Sequence, residues 1–110
     1  MKYVFVESIE FTRRIVRMKL EKELRALQTE LSANPQKGRL DPGACGLRKV
    51  RMNDAGRNQG KSYGARVHYL FLPHRYTLYL VNVYGKDDQD GLSPQQKKEL
   101  CEKIRPLKAQ

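Results

Sequence analysis

The side chains best suited to chemistry fall on three predicted strands in the second half of the chain. Because side chains alternate between the two faces of a strand, each strand is expected to place its polar residues on one face. Strand by strand, these residues are Lys49 and Arg51, then Arg66 and His68, then Asn82, Tyr84 and Lys86. If the three faces coincide, they form one basic surface that could hold RNA and position a phosphodiester, with Arg66 stabilising the extra charge of a pentavalent phosphate.

Cleavage of RNA without a metal ion needs a base for the 2′-hydroxyl, an acid for the 5′-oxygen and a cation for the phosphorane. Lysine and tyrosine can fill the proton-transfer roles only where neighbouring charges adjust their pKa values. Two simpler interpretations stay open at this point. Tyr84 is also explained as a packed aromatic at the end of a strand, and Lys86 as a solvated turn residue.

The basic charge of the chain is concentrated in residues 46–66. The whole chain has a net charge of +10, and half of it lies in this segment, where one acid, Asp54, accompanies six cations: Arg48, Lys49, Arg51, Arg57, Lys61 and Arg66. Such a patch attracts polyanions through counterion release without any need for sequence recognition. The alternative is an ordinary solvated loop.

Tyrosines accompany the basic strands and favour single-stranded RNA over duplex DNA. Exposed tyrosines beside arginines can stack on unpaired bases. Alternation directs several of them towards the core, so we expect about two to be available. The five are Tyr63, Tyr69, Tyr76, Tyr79 and Tyr84.

The sequence predicts neither a metal centre nor a cofactor. The segment 56–62, GRNQGKS, is one residue short of a phosphate-binding loop and is followed by a strand instead of a helix, which favours a flexible hairpin loop. His68 and His74 are too few for a metal site. Cys45 and Cys101 form neither a disulfide framework nor a zinc motif, so we expect both thiols to be reduced.

Helical and strand patterns divide the first half of the chain clearly. We predict a strand at residues 2–6 and a helix at residues 9–18 with Ser8 as its N-cap. A second helix carries a leucine stripe and ends at Asn34-Pro35, because proline disfavours helix in the preceding residue. Residues 35–46, rich in glycine and proline, are predicted to form a loop.

The second half is predicted to contain three strands and a last helix. The strands cover residues 47–52, 66–72 and 76–85, and the last of them, nearly all apolar, is expected to be central in the sheet. Ser93, Pro94 and Gln96 form a capping box, and Pro106 should end the helix or confine its last turn. The order β-α-α-β-β-β-α predicts an α+β fold in which a small antiparallel-rich sheet carries an N-terminal helical hairpin and a C-terminal helix.

The length of 110 residues predicts a single domain, residues 1–110. Its apolar runs are far shorter than the roughly 20 residues of a membrane span. The N-terminus, MKYVFVES, has no apolar core or cleavage site of a signal peptide, so we expect a cytoplasmic protein.

Several segments in order resemble one family. GLRKVR, a loop rich in glycine and lysine, GARVHYLFLP and YLVNVYGKDDQDGLSPQQ together resemble the RelE superfamily of toxins from bacterial toxin–antitoxin pairs, and within it the HigB-type branch. The resemblance runs from VFVES through ANPQKG to the last helix. It implies a ribosome-dependent endoribonuclease that cleaves mRNA in the ribosomal A site without a metal ion and thereby inhibits translation.

The resemblance also implies partners and residue roles. Its partners would be mRNA on the ribosome, ribosomal RNA and a cognate antitoxin with a helix-turn-helix DNA-binding domain. Arg66 matches the arginine that contacts the scissile phosphate, and the other matching catalytic positions are Lys49, Arg51, Lys86 and, nearby, Tyr84. Contacts to RNA or the ribosome are expected from Arg48, Arg57, Lys61, Tyr63 and His68. The C-terminal tyrosine of RelE has no counterpart, since no tyrosine follows Tyr84.

Two other functions stay open on the sequence. One is a non-catalytic module that binds RNA or the ribosome through the same patch, with salt-sensitive binding and no strand scission. The other is a degenerate toxin that acts only through its antitoxin.

Overall fold

The chain has a mixed α+β fold built on a β-sheet. The computed structural model describes residues 2–52 and 64–110. The strands within them are β1 (Val4–Glu7), β2 (Arg39–Leu40), β3 (Arg48–Met52), β4 (Ala65–Leu72) and β5 (Thr77–Gly85). The helices are α1 (Ile9–Met18), α2 (Glu21–Ala33) and α3 (Pro94–Lys108), and a 3-10 turn at Pro73–Arg75 joins β4 to β5. The predicted fold class is confirmed.

The five strands lie in the order β1-β5-β4-β3-β2. β1 pairs in parallel with β5, with Val4 opposite Thr77, and the other three pairings are antiparallel. The middle position therefore belongs to β4, and β5, which we expected at the centre, lies between β1 and β4. β1 can run parallel to β5 because the chain between them, which includes the helical hairpin and strands β2 to β4, is much longer than the dozen or so residues that a parallel connection needs.

The helical hairpin is confirmed with its predicted ends. The Ser8 hydroxyl accepts a hydrogen bond from the Phe11 N–H at 3.1 Å, as an N-cap does. α1 stops at Lys19, whose left-handed φ of 58° turns the chain into α2. α2 ends one residue before Asn34, and Pro35 prevents its continuation.

The capping box of α3 is also confirmed. The Ser93 hydroxyl accepts from the Gln96 N–H at 3.1 Å, and the Gln96 side chain accepts from the Ser93 N–H at 2.9 Å. The helix runs two residues past Pro106, so the proline lies in its last turn, where few backbone hydrogen bonds remain to be lost.

An apolar core packs against each face of the sheet. The hairpin covers one face with residues that include Phe11, Ile15, Leu27 and Leu31, which meet the side chains of β4 and β5 such as Val67 and Leu80. α3 covers part of the other face through Leu100 and Ile104, packed on Leu47, Leu70 and Val81. Each fully buried side chain of this size stabilises the fold by about 1.5–3 kcal/mol. The second face is left polar beyond α3.

The short strand β2 lies inside the segment that we predicted to be a loop. Arg39 pairs with Lys49, and Leu40 with Arg48, which adds a two-residue edge to the sheet. A pairing this short leaves no alternation for sequence reasoning to detect.

The expectation that both cysteines are reduced is wrong in this structure. Cys45, in the loop after β2, and Cys101, in α3, form a disulfide across 56 residues of sequence. The spacing of two cysteines says nothing about whether their Cα atoms approach, and here the packing of α3 over the loop brings them to 5.5 Å.

Candidate functional site

The three basic strands share one polar face, as their alternation predicts. In the first row across this face, called the Arg66 row, Arg51 lies directly opposite Arg66, and Arg66 lies opposite Tyr84. Directly opposed residues of antiparallel strands point to the same side of the sheet. Arg66 is partly exposed and Tyr84 is buried, with 5% of its surface accessible. The row therefore offers guanidinium groups at the surface and a phenol beneath them.

The second row, called the His68 row, contains Lys49, His68 and Asn82. Lys49 is partly exposed, whereas His68 is fully buried. The Arg14 guanidinium nitrogen Nη1 donates to the Asn82 amide oxygen at 2.9 Å. The same Nη1 also donates to the Val83 carbonyl at 3.3 Å. We expected His68 to contact RNA, but its ring lies in the interior and has no surface to offer.

A carboxylate that sequence reasoning missed lies against His68. The loop after β2 brings Asp41 over the sheet, where its Oδ2 is 2.8 Å from His68 Nε2. The Lys97 ammonium of α3 is 3.7 Å from Asp41 Oδ1 and donates to the Pro42 carbonyl at 2.7 Å. No local pattern links Asp41 to His68. Lys97, however, precedes the buried Leu100 by three residues and so lies on the side of α3 that faces the sheet. This spacing could have indicated that Lys97 contacts the rest of the fold.

Burial favours the uncharged form of both His68 and Tyr84. It lowers the pKa of His68 from the ordinary 6.5, and the hydrogen bond and charge of Asp41 oppose that shift in part. It raises the pKa of the Tyr84 hydroxyl above 10.0, while the Arg66 charge opposes that shift. His68 Nδ1 and the Tyr84 hydroxyl are both buried, and neither has a hydrogen-bond partner among the described residues.

Four cations line a shallow depression beside β3. They are Lys37, Arg39, Lys49 and Arg51, and Glu30 of α2 lies at the margin, paired with Lys37 at 2.6 Å. The pairing of β2 with β3 places Arg39 beside Lys49. Sequence reasoning selected Lys49 and Arg51 but missed Lys37 and Arg39, because it treated their segment as a linker. A phosphate chain that enters this depression would meet positive charge from two strands.

Other residues chosen from the sequence have different surroundings. Lys86 lies in the turn after β5 with its ammonium 3.6 Å from Asp90, and its backbone N–H donates to the Gly64 carbonyl. Arg48 donates to the Gly38 carbonyl at 2.7 Å, so it supports the turn before β2. Among the tyrosines, Tyr69 is fully buried and Tyr76 is 47% exposed.

Three of the predicted contact residues, Arg57, Lys61 and Tyr63, lie outside the described residues, as does the GRNQGKS segment. Their proposed contacts stay predictions. Within the described parts of the chain, histidines, cysteines and carboxylates form no group able to hold a metal ion. In those same parts, no helix has the length and apolar character that crossing a bilayer requires.

Comparison with known proteins identifies the fold. No protein-family profile matches this chain. Among solved structures, a double mutant of the E. coli toxin RelE in the free state superposes on it with a TM-score of 0.63. The match covers 96% of this chain and 99% of that chain at 11% sequence identity. The chain therefore has a RelE-like fold over nearly its whole length.

Proposed function

We propose that this chain is the toxin of a type II toxin–antitoxin pair, of the HigB-type branch of the RelE superfamily. It would act in the cytoplasm as an endoribonuclease that cuts mRNA in the ribosomal A site. One observation carries the proposal: a RelE-like fold brings Lys49, Arg51 and Arg66 to a common face. The sequence resemblance assigns these three positions to catalysis, together with Lys86 and Tyr84.

The arrangement suits cleavage by the substrate's own 2′-hydroxyl. That oxygen attacks the adjacent phosphorus, the bond to the 5′-oxygen breaks, and a 2′,3′-cyclic phosphate and a 5′-hydroxyl end result. Arg66 would bind the phosphate and stabilise the phosphorane charge, because its planar guanidinium matches two phosphate oxygens. Arg51, opposite Arg66, and Lys49 in the neighbouring row would add positive charge on the side of the cation-lined depression.

The proton transfers are assigned to exposed groups. The 2′-hydroxyl must lose a proton and the 5′-oxygen must gain one, so the groups responsible must reach the substrate. The Tyr84 hydroxyl is buried, whereas the Lys49 and Lys86 side chains are partly exposed. We therefore assign the direct proton transfers to Lys49 and Lys86, and a supporting role to Tyr84.

The test is mRNA cleavage in a translating extract. Wild-type protein should cut mRNA within codons, and the cleaved ends should carry a 2′,3′-cyclic phosphate. Arg66→Ala should lower the cleavage rate by about 100-fold or more, as loss of a charge-stabilising donor does. Arg25→Ala, which removes an exposed arginine from α2, is the matched control and should cut at the wild-type rate.

Other outcomes separate the remaining functions. An unchanged cleavage pattern in Arg66→Ala would remove Arg66 from the mechanism. Equal cleavage of purified, ribosome-free RNA would exclude A-site dependence. Salt-sensitive ribosome binding with no scission by the wild type would support the non-catalytic module.

The antitoxin is proposed on the resemblance. A short reading frame that encodes a helix-turn-helix protein beside this gene would support a working pair, and co-expression of that protein should abolish cleavage. A neighbouring protein that binds this chain and leaves cleavage unchanged would contradict that role.

A further inference from the structure

Three polar side chains behind the exposed cations make no direct contact with substrate in the proposed chemistry. Asp41, His68 and Tyr84 come from the β2–β3 loop, β4 and β5, and each is largely or wholly buried. A buried polar group without a hydrogen bond costs about 1–3 kcal/mol, so two such atoms on neighbouring rings need an explanation.

The pairing with Asp41 fixes the direction of hydrogen bonding at His68. An ionised carboxylate can only accept, so His68 Nε2 carries the proton and donates to Asp41. In a neutral imidazole the other nitrogen, Nδ1, is then an acceptor that lacks a donor. The ring is fully buried, and desolvation there favours the neutral form.

The Tyr84 hydroxyl could supply the donor that His68 Nδ1 lacks. It is a buried donor that lacks an acceptor, and the His68 and Tyr84 ring centroids are 6.0 Å apart at a tilt of 30°. If the hydroxyl donates to His68 Nδ1, the phenol oxygen retains only acceptor lone pairs. Arg66, directly opposite Tyr84, has only donors to offer, and its charge acts on that hydroxyl.

We propose that Asp41 and His68 are positioning residues that act through Tyr84 to hold the Arg66 guanidinium for the scissile phosphate. The structure shows the bond from His68 to Asp41; in the proposed arrangement Tyr84 would also donate to His68 Nδ1, and Arg66 would donate to the Tyr84 oxygen, which would satisfy both atoms that lack partners. This role rests on the proposed function, since it needs a phosphate bound at Arg66. It requires no contact between RNA and the buried ring of His68.

The charges around the cluster define its pH dependence. His68 is faced by Asp41 from the loop, by Lys49 from β3 and by Lys97 from α3. Tyr84 is acted on by the charges of Arg66, Asp41 and Asp90. Protonation of Nδ1 would convert it from acceptor to donor and reverse its bond with Tyr84. The phenol oxygen would then be shared between two donors, and Arg66 would lose its fixed position.

Two substitutions at His68 test its two hydrogen bonds, to Asp41 and to Tyr84, one at a time. His68→Gln places an amide N–H near the Nε2 position and keeps the link to Asp41, but removes the acceptor for Tyr84. His68→Asn places an amide oxygen near the Nδ1 position and keeps that acceptor. Cleavage of translated mRNA should fall about tenfold in His68→Gln, the usual effect of one lost hydrogen bond, and less in His68→Asn. His74→Gln, at the other, exposed histidine, is the control.

Combination with Tyr84→Phe provides a readout that a merely structural role would not change. The His68→Gln/Tyr84→Phe double variant should be no slower than Tyr84→Phe alone, because loss of the hydroxyl already removes the hydrogen bond that His68→Gln breaks. The acid limb of the wild-type pH–rate profile should report His68 and disappear in His68→Gln. Additive losses with an unchanged acid limb would overturn the inference.

NMR of the imidazole nitrogens tests the same chain of hydrogen bonds without RNA. The protein has two histidines, so His74→Gln assigns the signals. His68 should be the neutral Nε2–H tautomer at pH 6.5, and an Nδ1–H tautomer would overturn the inference while the proposed function stands. If the wild type cuts no mRNA, the proposed function fails and this role fails with it, even if the expected tautomer is found.

Discussion

Tyr69 shows how one residue on a basic strand is assigned to the core. Its hydroxyl accepts from the Gly38 N–H at 2.9 Å and donates to the Pro35 carbonyl at 2.7 Å, so it holds the turn that leads into β2. A Cβ at Gly38 would lie 2.9 Å from the Tyr69 ring and 3.0 Å from the Lys49 carbonyl, which explains the glycine there. The sequence identified Tyr69 as a candidate for base stacking, but its ring is buried and its hydroxyl supports the turn before β2, so its role is structural.

The buried His68 should make folding stability depend on pH. Its folded-state pKa is lowered by burial, so below about pH 6.5 the unfolded state binds more protons. The free energy of unfolding should therefore fall as pH drops below about 6.5, by at most about 1.4 kcal/mol per pH unit, and level off below the folded-state pKa.

Urea unfolding of wild type, His68→Gln and His74→Gln between about pH 7 and 5 measures this effect. The slope attributed to His68 should be absent in His68→Gln and retained in His74→Gln, whose ring is exposed. Equal slopes in all three proteins would show that burial does not shift the His68 pKa.

At the scale of elements, α3 holds the loop that carries Asp41. Besides the disulfide, the Lys97 ammonium donates to the Pro42 carbonyl, and the Lys108 ammonium donates to the Cys45 carbonyl at 2.9 Å. These contacts lie along the same side of the helix, because Cys101 follows Lys97 by four residues and Lys108 follows Cys101 by seven. The loop after β2 is thus anchored to α3 although it has little regular structure of its own.

The Cys45–Cys101 disulfide should stabilise the oxidised protein. Cross-linking residues 56 apart restricts the unfolded chain, and its loss typically costs about 2–4 kcal/mol. Cys101→Ser should lower the free energy of unfolding by that amount without reductant and have little effect with dithiothreitol. Since the Asp41 loop would loosen, reduced wild type should also unfold at lower urea concentration.

Mass spectrometry after alkylation without reductant checks the premise. No alkylation of either cysteine is expected in oxidised protein, and two alkylated thiols in freshly oxidised, native protein would contradict the bond. Cys45→Ser/Cys101→Ser is the control, because its stability should not respond to dithiothreitol.

At the scale of the whole molecule, the net charge of +10 is distributed unevenly over the fold. Two strands and the turn before β2 direct cations into one depression, while acids such as Glu21 and Glu23 lie at the start of α2. A surface of this kind favours binding to phosphate groups of RNA, and that binding weakens as the salt concentration rises.

Ribosome binding should therefore depend on salt through the depression. Arg39→Gln should reduce the slope of log K against log salt by about 0.7–0.9, the effect of one lost phosphate contact. Arg25→Gln, which removes the same charge from α2, should leave the slope unchanged. Equal changes in both variants would mean that only total charge matters and that the depression is not the binding site.

The sequence by itself determined the local structure and part of the candidate site. The boundaries of α1 follow from Ser8 and the apolar spacing, the start of α3 follows from the Ser93–Gln96 capping box, and alternation indicated which polar residues share a face on each strand. These features depend on a few neighbouring residues, so their signals are contained in short stretches of sequence.

Only the tertiary structure decided which distant residues meet. It placed β1 beside β5, joined Cys45 to Cys101, brought Asp41 to His68 and buried Tyr84 at one end of the Arg66 row. Such contacts depend on how helices and loops pack over the sheet, and neither periodicity nor charge specifies that packing. The sequence thus determined a basic face, and the packing divided it into cations at the surface and a buried polar cluster below.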